Sequence, residues 1–169
     1  SFQTPEVLMT YTDNGLNAMS KAFHSIIRDR ITRSKYKYKE RPILVNNWEA
    51  TYFDFDEDKL KPIVDEAKEL GIEMFVLDDG WFGHRDDDNS SLGDWNVYEK
   101  KFPQGLKHFA DYVHSKDLKF GIWFEPEMIS MDSELYRSHP EYLMQVPGRQ
   151  PSPSRNQYIL DMTRKDVRD

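Results

Sequence analysis

The sequence predicts an α/β fold with a parallel sheet, and three observations predict it. Short apolar runs at residues 43–45, 74–77, 119–124 and 158–160 are strand-sized, and segments with helical spacing lie between them. Polar groups gather just after each run. Among the 169 residues, four Trp, nine Tyr and ten Phe supply large apolar surfaces for a core.

Residues 1–40 read as a linker or helical connector from a preceding domain. A helix is expected over 16–31, where Met19, Phe23, Ile26 and Ile27 share one face. The alternating run Lys35, Tyr36, Lys37, Tyr38, Lys39 follows as a connector. The chain begins with Ser1, and residues 1–9 show no charged-then-apolar leader, so it is expected to derive from a longer protein.

From residue 41 the strand and helix units begin. Ile43, Leu44 and Val45 form the first strand, ending in Asn46, Asn47 and Trp48. In the next helix Leu60, Ile63, Val64, Ala67 and Leu70 make a stripe of 3.6-residue period, and Gly71 supplies a left-handed stop. Pro62 leaves the helix start open, because proline suits the first turn. The second strand, residues 73–77, ends abruptly in Asp78, Asp79, Gly80 and Trp81. A polar insertion leads to a helix within 102–116, carried by Leu106, Phe109, Ala110 and Val113. The third strand covers 119–124 and ends in Glu125, Pro126 and Glu127. A helical turn near 133–138 and a Pro-rich loop over 147–153 lead to a fourth strand at 158–160, followed by Asp161.

Four strands at spacings of roughly 30 to 46 residues read as about the first four units of a (β/α)8 TIM barrel, whose chemistry sits at the carboxyl ends of the strands. Residues 41–169 are therefore expected to be the N-terminal half of such a barrel, since a closed one needs about 250 residues. An open doubly wound sheet is the competitor, but no glycine-rich phosphate loop follows the first strand.

Composition narrows the function. The net charge of −7 repels polyanions, so no nucleic acid and no anionic membrane is expected as partner, and a neutral or cationic ligand fits better. Without cysteine there are no disulfides, thiol nucleophiles or Cys-ligated metals. No apolar run approaches the roughly 20 residues that span a bilayer. The run Asp86, Asp87, Asp88, Asn89 lacks the glycine and closing Glu of a calcium loop and reads as solvated. His24, His84, His108, His114 and His139 form no ligand pair at helical spacing, and neither a G-x-S-x-G elbow nor a P-loop occurs. No metal and no cofactor is expected.

The strongest local feature is the pair Asp78 and Asp79, two carboxylates that terminate a buried strand. Neighbouring side chains on a strand point to opposite faces, but Gly80 allows a sharp turn that lets both face one polar ligand. A sugar hydroxyl suits them, because charge-assisted hydrogen bonds hold one stereoisomer and leave another unpaired. The alternative is that one Asp caps the turn while the other binds metal or solvent. Trp48 and Trp123 can offer flat faces to the C–H surface of a sugar ring, although Trp123 reads equally as a core residue among Phe120, Ile122 and Phe124. Glu125 and Glu127 can be read as the paired carboxylates of glycoside hydrolysis, and preferably as groups that orient a neighbouring cation. Arg155 is such a cation and is also a candidate ligand of the sugar.

These residues carry a resemblance. Asn46-Asn47-Trp48-Glu49, then Leu77 with Asp78-Asp79-Gly80-Trp81-Phe82-Gly83, then Gly121-Ile122-Trp123-Phe124-Glu125-Pro126-Glu127-Met128 occur in this order. With Ser154-Arg155-Asn156-Gln157 and Ile159-Leu160-Asp161, this series resembles the catalytic barrel of glycoside hydrolase family 36, the bacterial alpha-galactosidases, over about three quarters of the chain. The resemblance implies that Asp78 and Asp79 hold the galactose hydroxyls at O4 and O6. It also implies that Trp48 and Trp123 wall the pocket, and that Arg155 contacts the sugar or its supporting carboxylates.

The family's nucleophile, an Asp in a Lys-Trp-Asp motif, and its acid/base, a later Asp, have no counterpart here. None of Trp48, Trp81, Trp95 and Trp123 is followed by Asp. A retaining mechanism needs two carboxyl groups about 5 to 5.5 Å apart, so both are expected beyond Asp169 and the chain alone should be inactive. The parent is expected to be a cytoplasmic homo-oligomer that removes terminal alpha-linked galactose from melibiose- or raffinose-type oligosaccharides. Other readings are a stand-alone carbohydrate-binding or assembly module, a related galactosyltransferase, or an alpha-N-acetylgalactosaminidase.

Overall fold

The computed structural model describes residues 2–146, 148, 149, 151 and 155–169. Most of the Pro-rich loop and Ser154 of the motif series therefore lie outside the described residues. The chain divides into two units, Ser1–Arg41 and Pro42–Asp169.

In the first unit, helix α1 spans Gly15–Ile26 and continues as a single π-helical stretch, Ile27–Ile31. Met19, Ala22, Phe23 and Ile26 are half-buried along one face, whereas Ile27, expected on that face, is 45% exposed. Ile27 keeps α-helical angles and its N–H still donates to the Phe23 carbonyl, so it lies at the exposed end of the stripe, where the π-helical stretch begins. Behind it, Lys37 Nζ donates to the Asp29 carbonyl at 2.8 Å and the Tyr38 hydroxyl donates to Asp29 Oδ1 at 3.2 Å.

The second unit is built on strands β1 (Leu44–Asn46), β2 (Met74–Leu77) and β3 (Lys119–Ile122), which form a parallel sheet in the order β1-β2-β3. Asn46 pairs with Val76, and Leu77 pairs with Ile122. Helix α2 (Trp48–Thr51) is one turn directly after β1, and α3 (Glu57–Glu69) and α4 (Leu106–Ser115) are the crossovers.

Helix α3 starts where its chemistry allows. Asp56 caps it by accepting from the Lys59 N–H at 2.9 Å, and Glu57 and Asp58 occupy the positive end of the helix dipole. Gly71, at φ +79°, stops it. Pro62 lies inside the helix rather than in its first turn. It withholds a donor from the Asp58 carbonyl, which costs little because that residue's side chain is 94% exposed and water is at hand.

Leu60 and Val64 of α3, Phe75 and Leu77 of β2, and Phe109 and Val113 of α4 are fully buried in one core with Phe102. The Phe109 ring meets those of Phe102, Phe75 and Phe120 at 5.7, 5.8 and 6.0 Å.

The fourth apolar run departs from expectation. Strand β5 (Tyr158–Ile159) does not extend the parallel sheet; it pairs antiparallel with β4 (Met128–Ile129) in a separate two-stranded ladder. Leu160 is buried with Ile129 and Leu143, so a local apolar cluster decides its partner. A short run carries no mark of parallel or antiparallel pairing in its own composition. Helices α5 (Glu134–Ser138) and α6 (Lys165–Arg168) complete the unit. Among the described residues no helix is long and apolar enough to cross a membrane.

Phe109 joins α4 to β2 and β3. Phe109→Ala is expected to lower the unfolding free energy by about 3–5 kcal/mol in urea titration, and a loss below about 1 kcal/mol would show that these rings do not form the core.

Candidate functional site

The parallel register aligns the carboxyl ends of three strands, and the candidate residues come with them. Asn47 N–H donates to the Val76 carbonyl at 3.4 Å and Trp123 N–H donates to the Leu77 carbonyl at 2.9 Å, so both neighbours run alongside β2 up to Asp78.

Asp78 is held from three sides. Its Oδ2 accepts from Asn46 Nδ2, its Oδ1 accepts from the Asp79 N–H at 2.7 Å, and its own N–H donates to Asn47 Oδ1 at 2.8 Å. Asn47 is fully buried, and its Nδ2 donates to Thr51 Oγ1 at 2.9 Å. Asn46 Oδ1 accepts from the Trp48 N–H at 2.7 Å. One asparagine therefore sets both the start of α2 and the orientation of Asp78.

Asp79 is buried and faces Arg85. The guanidinium donates from Nε to Oδ1 at 2.5 Å and from Nη2 to Oδ2 at 2.8 Å, and its Nη1 donates to the Ser90 carbonyl at 2.6 Å. Gly80 makes the intervening turn at φ +100°. A Cβ there would lie 3.1–3.3 Å from Phe53, Phe55 and the Lys101 ammonium, so both the conformation and the space call for glycine.

Lys101 holds this loop from beneath. Its Nζ donates to the Phe53 carbonyl at 2.9 Å and the Arg85 carbonyl at 3.1 Å, and lies 3.5 Å from Asp86 Oδ1. Burial pushes its ammonium below the ordinary lysine value, against the pull of Asp86 and Asp79. Burial would raise Asp86, but the Tyr98 hydroxyl, Lys101 and Lys100 outweigh it and keep its carboxyl below the usual range. The expected solvated acidic loop is thus anchored at its first residue, and Asp87, Asp88 and Asn89 are exposed.

The two tryptophans are half-buried. Trp48 meets Tyr52 and Phe53 edge-on at 5.3 and 4.9 Å. Trp123 stacks on Phe82 at 6.4 Å and 19°, and its carbonyl accepts from Trp81 Nε1 at 3.0 Å. It belongs to an aromatic cluster with Trp81, Phe82 and Trp95, which braces the ends of β2 and β3.

Arg155 is exposed, at φ +51°, with Nη2 3.5 Å from Glu125 Oε1. Gln157 is the closer partner of Glu125, donating from Nε2 to that oxygen at 3.0 Å. Glu125 Oε2 and Gln157 Oε1 are buried without a hydrogen-bond partner among the described residues. Glu127 is exposed, and its role is carried by its backbone, whose carbonyl accepts from the Leu160 N–H at 2.8 Å. His84 is exposed, 3.3 Å from Asp132. Among the described residues no group of three or more His, Asp or Glu can hold a metal ion.

The structure brings Asp78, Asp79 and Trp48 into one hydrogen-bonded assembly and places Arg155 with Glu125. Sequence reading missed the parts played by Asn46, Asn47, Arg85 and Lys101. A basic residue six positions after an acid, across a glycine turn, is a weak signal, and only burial reveals it. Chemically, the assembly presents two anionic acceptors in fixed directions beside aromatic surfaces, an arrangement suited to several hydroxyl groups on one apolar ring.

The family model described as Melibiase matches residues 1–169. Alpha-galactosidase Mel36A of Lactobacillus acidophilus is 76% identical over 99% of the chain, which spans 23% of that relative's length. The crystal structure of the glycoside hydrolase family 36 alpha-galactosidase AgaA of Geobacillus stearothermophilus superposes with a TM-score of 0.93 at 57% identity, over 98% of this chain and 23% of that one. A variant of AgaA in complex with raffinose superposes with a TM-score of 0.89 at 55% identity, over 93% and 22%.

Two measurements test the framework. Asn47→Ala leaves the half-buried Asp78 N–H without its acceptor and is expected to cost about 1–3 kcal/mol of stability by chemical denaturation; no cost would remove Asn47 from the framework. Lys101, with its folded pKa below the unfolded 10.5, releases its proton earlier when folded, so its burial penalty is relieved as pH rises. The wild type should gain stability relative to Lys101→Met as pH approaches 10.5, and a flat or falling difference would contradict the burial effect.

Proposed function

Since the chain belongs to the melibiase family, we propose that residues 41–169 supply the N-terminal part of the (β/α)8 catalytic barrel of a retaining alpha-galactosidase and that residues 1–40 connect it to a preceding domain. The three parallel strands are the first three of that barrel, whose working face lies at their carboxyl ends. The fourth barrel strand is not the run at 158–160, which pairs with β4.

The observation that carries this reading is the pair Asp78 and Asp79, two carboxylate acceptors each oriented by protein groups. They hold the O4 and O6 hydroxyls of a terminal galactose. A glucose unit, with O4 equatorial, leaves a buried carboxylate lone pair without its donor, which is how such a site discriminates. Trp48 and Trp123 wall the sugar, and Arg155, 3.5 Å from Glu125, contacts the sugar or its supporting carboxylates. Raffinose- and melibiose-type oligosaccharides are the substrates, in line with AgaA variants solved with raffinose and stachyose.

The nucleophile and acid/base come from outside these residues, so the chain contributes recognition without bond cleavage. Hydrolysis rather than transfer is the favoured reaction because the relatives carry the name alpha-galactosidase.

Purified residues 1–169 should release no nitrophenol from p-nitrophenyl alpha-galactoside, while the longer protein does; turnover by the chain alone would overturn the division of labour. In the longer protein Asp78→Ala should weaken galactose binding by about 2–5 kcal/mol in calorimetry, and unchanged binding would exclude Asp78 from the pocket.

A further inference from the structure

We propose that Arg85 is a positioning residue for galactose recognition, acting through the carboxylate of Asp79. The inference rests on the reading of Asp79 as a sugar ligand and adds a residue to it. A carboxylate offers about four lone-pair directions, and the Arg85 fork occupies one on each oxygen. One direction per oxygen remains, and the Asp79 side chain keeps 10% of its surface open. The fork thus converts a rotatable anion into an acceptor with fixed directions.

Arg85 can do this because it is immobilised itself. It is only 1% exposed, and its third nitrogen is engaged by the Ser90 carbonyl at 2.6 Å. The guanidinium carbon lies 5.5 and 5.7 Å from the ring centroids of Phe53 and Phe82. Lys101 Nζ holds the Arg85 carbonyl. The loop after β2 therefore sets the angle at which Asp79 meets a ligand. The Asp78 carboxylate is held by Asn46 and the backbone N–H of Asp79, not by the guanidinium, so the Arg85 fork bears on the Asp79 side chain alone.

A purely structural ion pair is the competing account, and a double-mutant cycle in the longer protein separates the two. Asp79→Asn, Arg85→Gln, Arg85→Lys and the double variant are compared by kcat/KM on p-nitrophenyl alpha-galactoside and by thermal unfolding. If Arg85 acts through Asp79, Arg85→Gln raises KM and lowers kcat/KM on the order of 10- to 100-fold. Adding it to Asp79→Asn then costs little more, and Arg85→Lys, which keeps the charge but loses the fork, falls between. The inference is overturned if Arg85→Gln unfolds more easily yet keeps wild-type kcat/KM, or if the two losses add. Should Arg85→Gln fail to fold, Arg85→Lys carries the same test. A harmless Asp79→Asn would instead remove Asp79 from the sugar site, and the inference with it.

Discussion

Two carboxylates in succession at the end of a strand repel each other and resist burial, and most of the second unit's loop architecture answers that constraint. An ion taken from water needs partners in good geometry, or it neutralises or moves. Asp78 finds its partners in amides: Asn46 Nδ2 and the Asp79 N–H. Asp79 finds them in the guanidinium fork of Arg85. The division matters because dipoles hold the outer, half-buried acid and a full charge holds the deeper one.

The supports reach far along the chain. Asn46 and Asn47 come from the end of β1, Arg85 from the loop after β2, and Lys101 from the approach to α4. The contacts of Asn46 and Asn47 with Asp78 need β1 and β2 paired in the observed register. Because side chains alternate along a strand, a slip of one residue would turn Asn46 away from Asp78. Core packing around Phe75, Leu77 and Phe109 enforces that register, so the apolar interior and the polar site are energetically linked.

Much of this was legible in the residues, for identifiable reasons. The first three strands carry apolar runs, the stripe of α3 has helical period, and Gly71 stops that helix as its chemistry dictates. The acid pair stood out because two carboxylates ending a buried strand are expensive. Other features were hidden. The run at 158–160 looks like any short strand, and its antiparallel partner at 128–129 is too brief to register. Pro62 obscured the start of α3, since only the exposure of Asp58 makes it tolerable there. Arg85 sits in a charged stretch that reads as solvated, and a buried arginine differs from an exposed one only in its surroundings.

Recognition turns on whether the two acids receive a galactosyl unit in the orientations their supports impose. A crystal structure of the longer protein with raffinose bound measures this directly. It should place the galactosyl O4 and O6 hydroxyls within about 3 Å of the Asp78 and Asp79 carboxylates, with Asp79 still paired to Arg85. Sugar bound away from both acids, or an Asp79 turned out of the Arg85 fork, would contradict it.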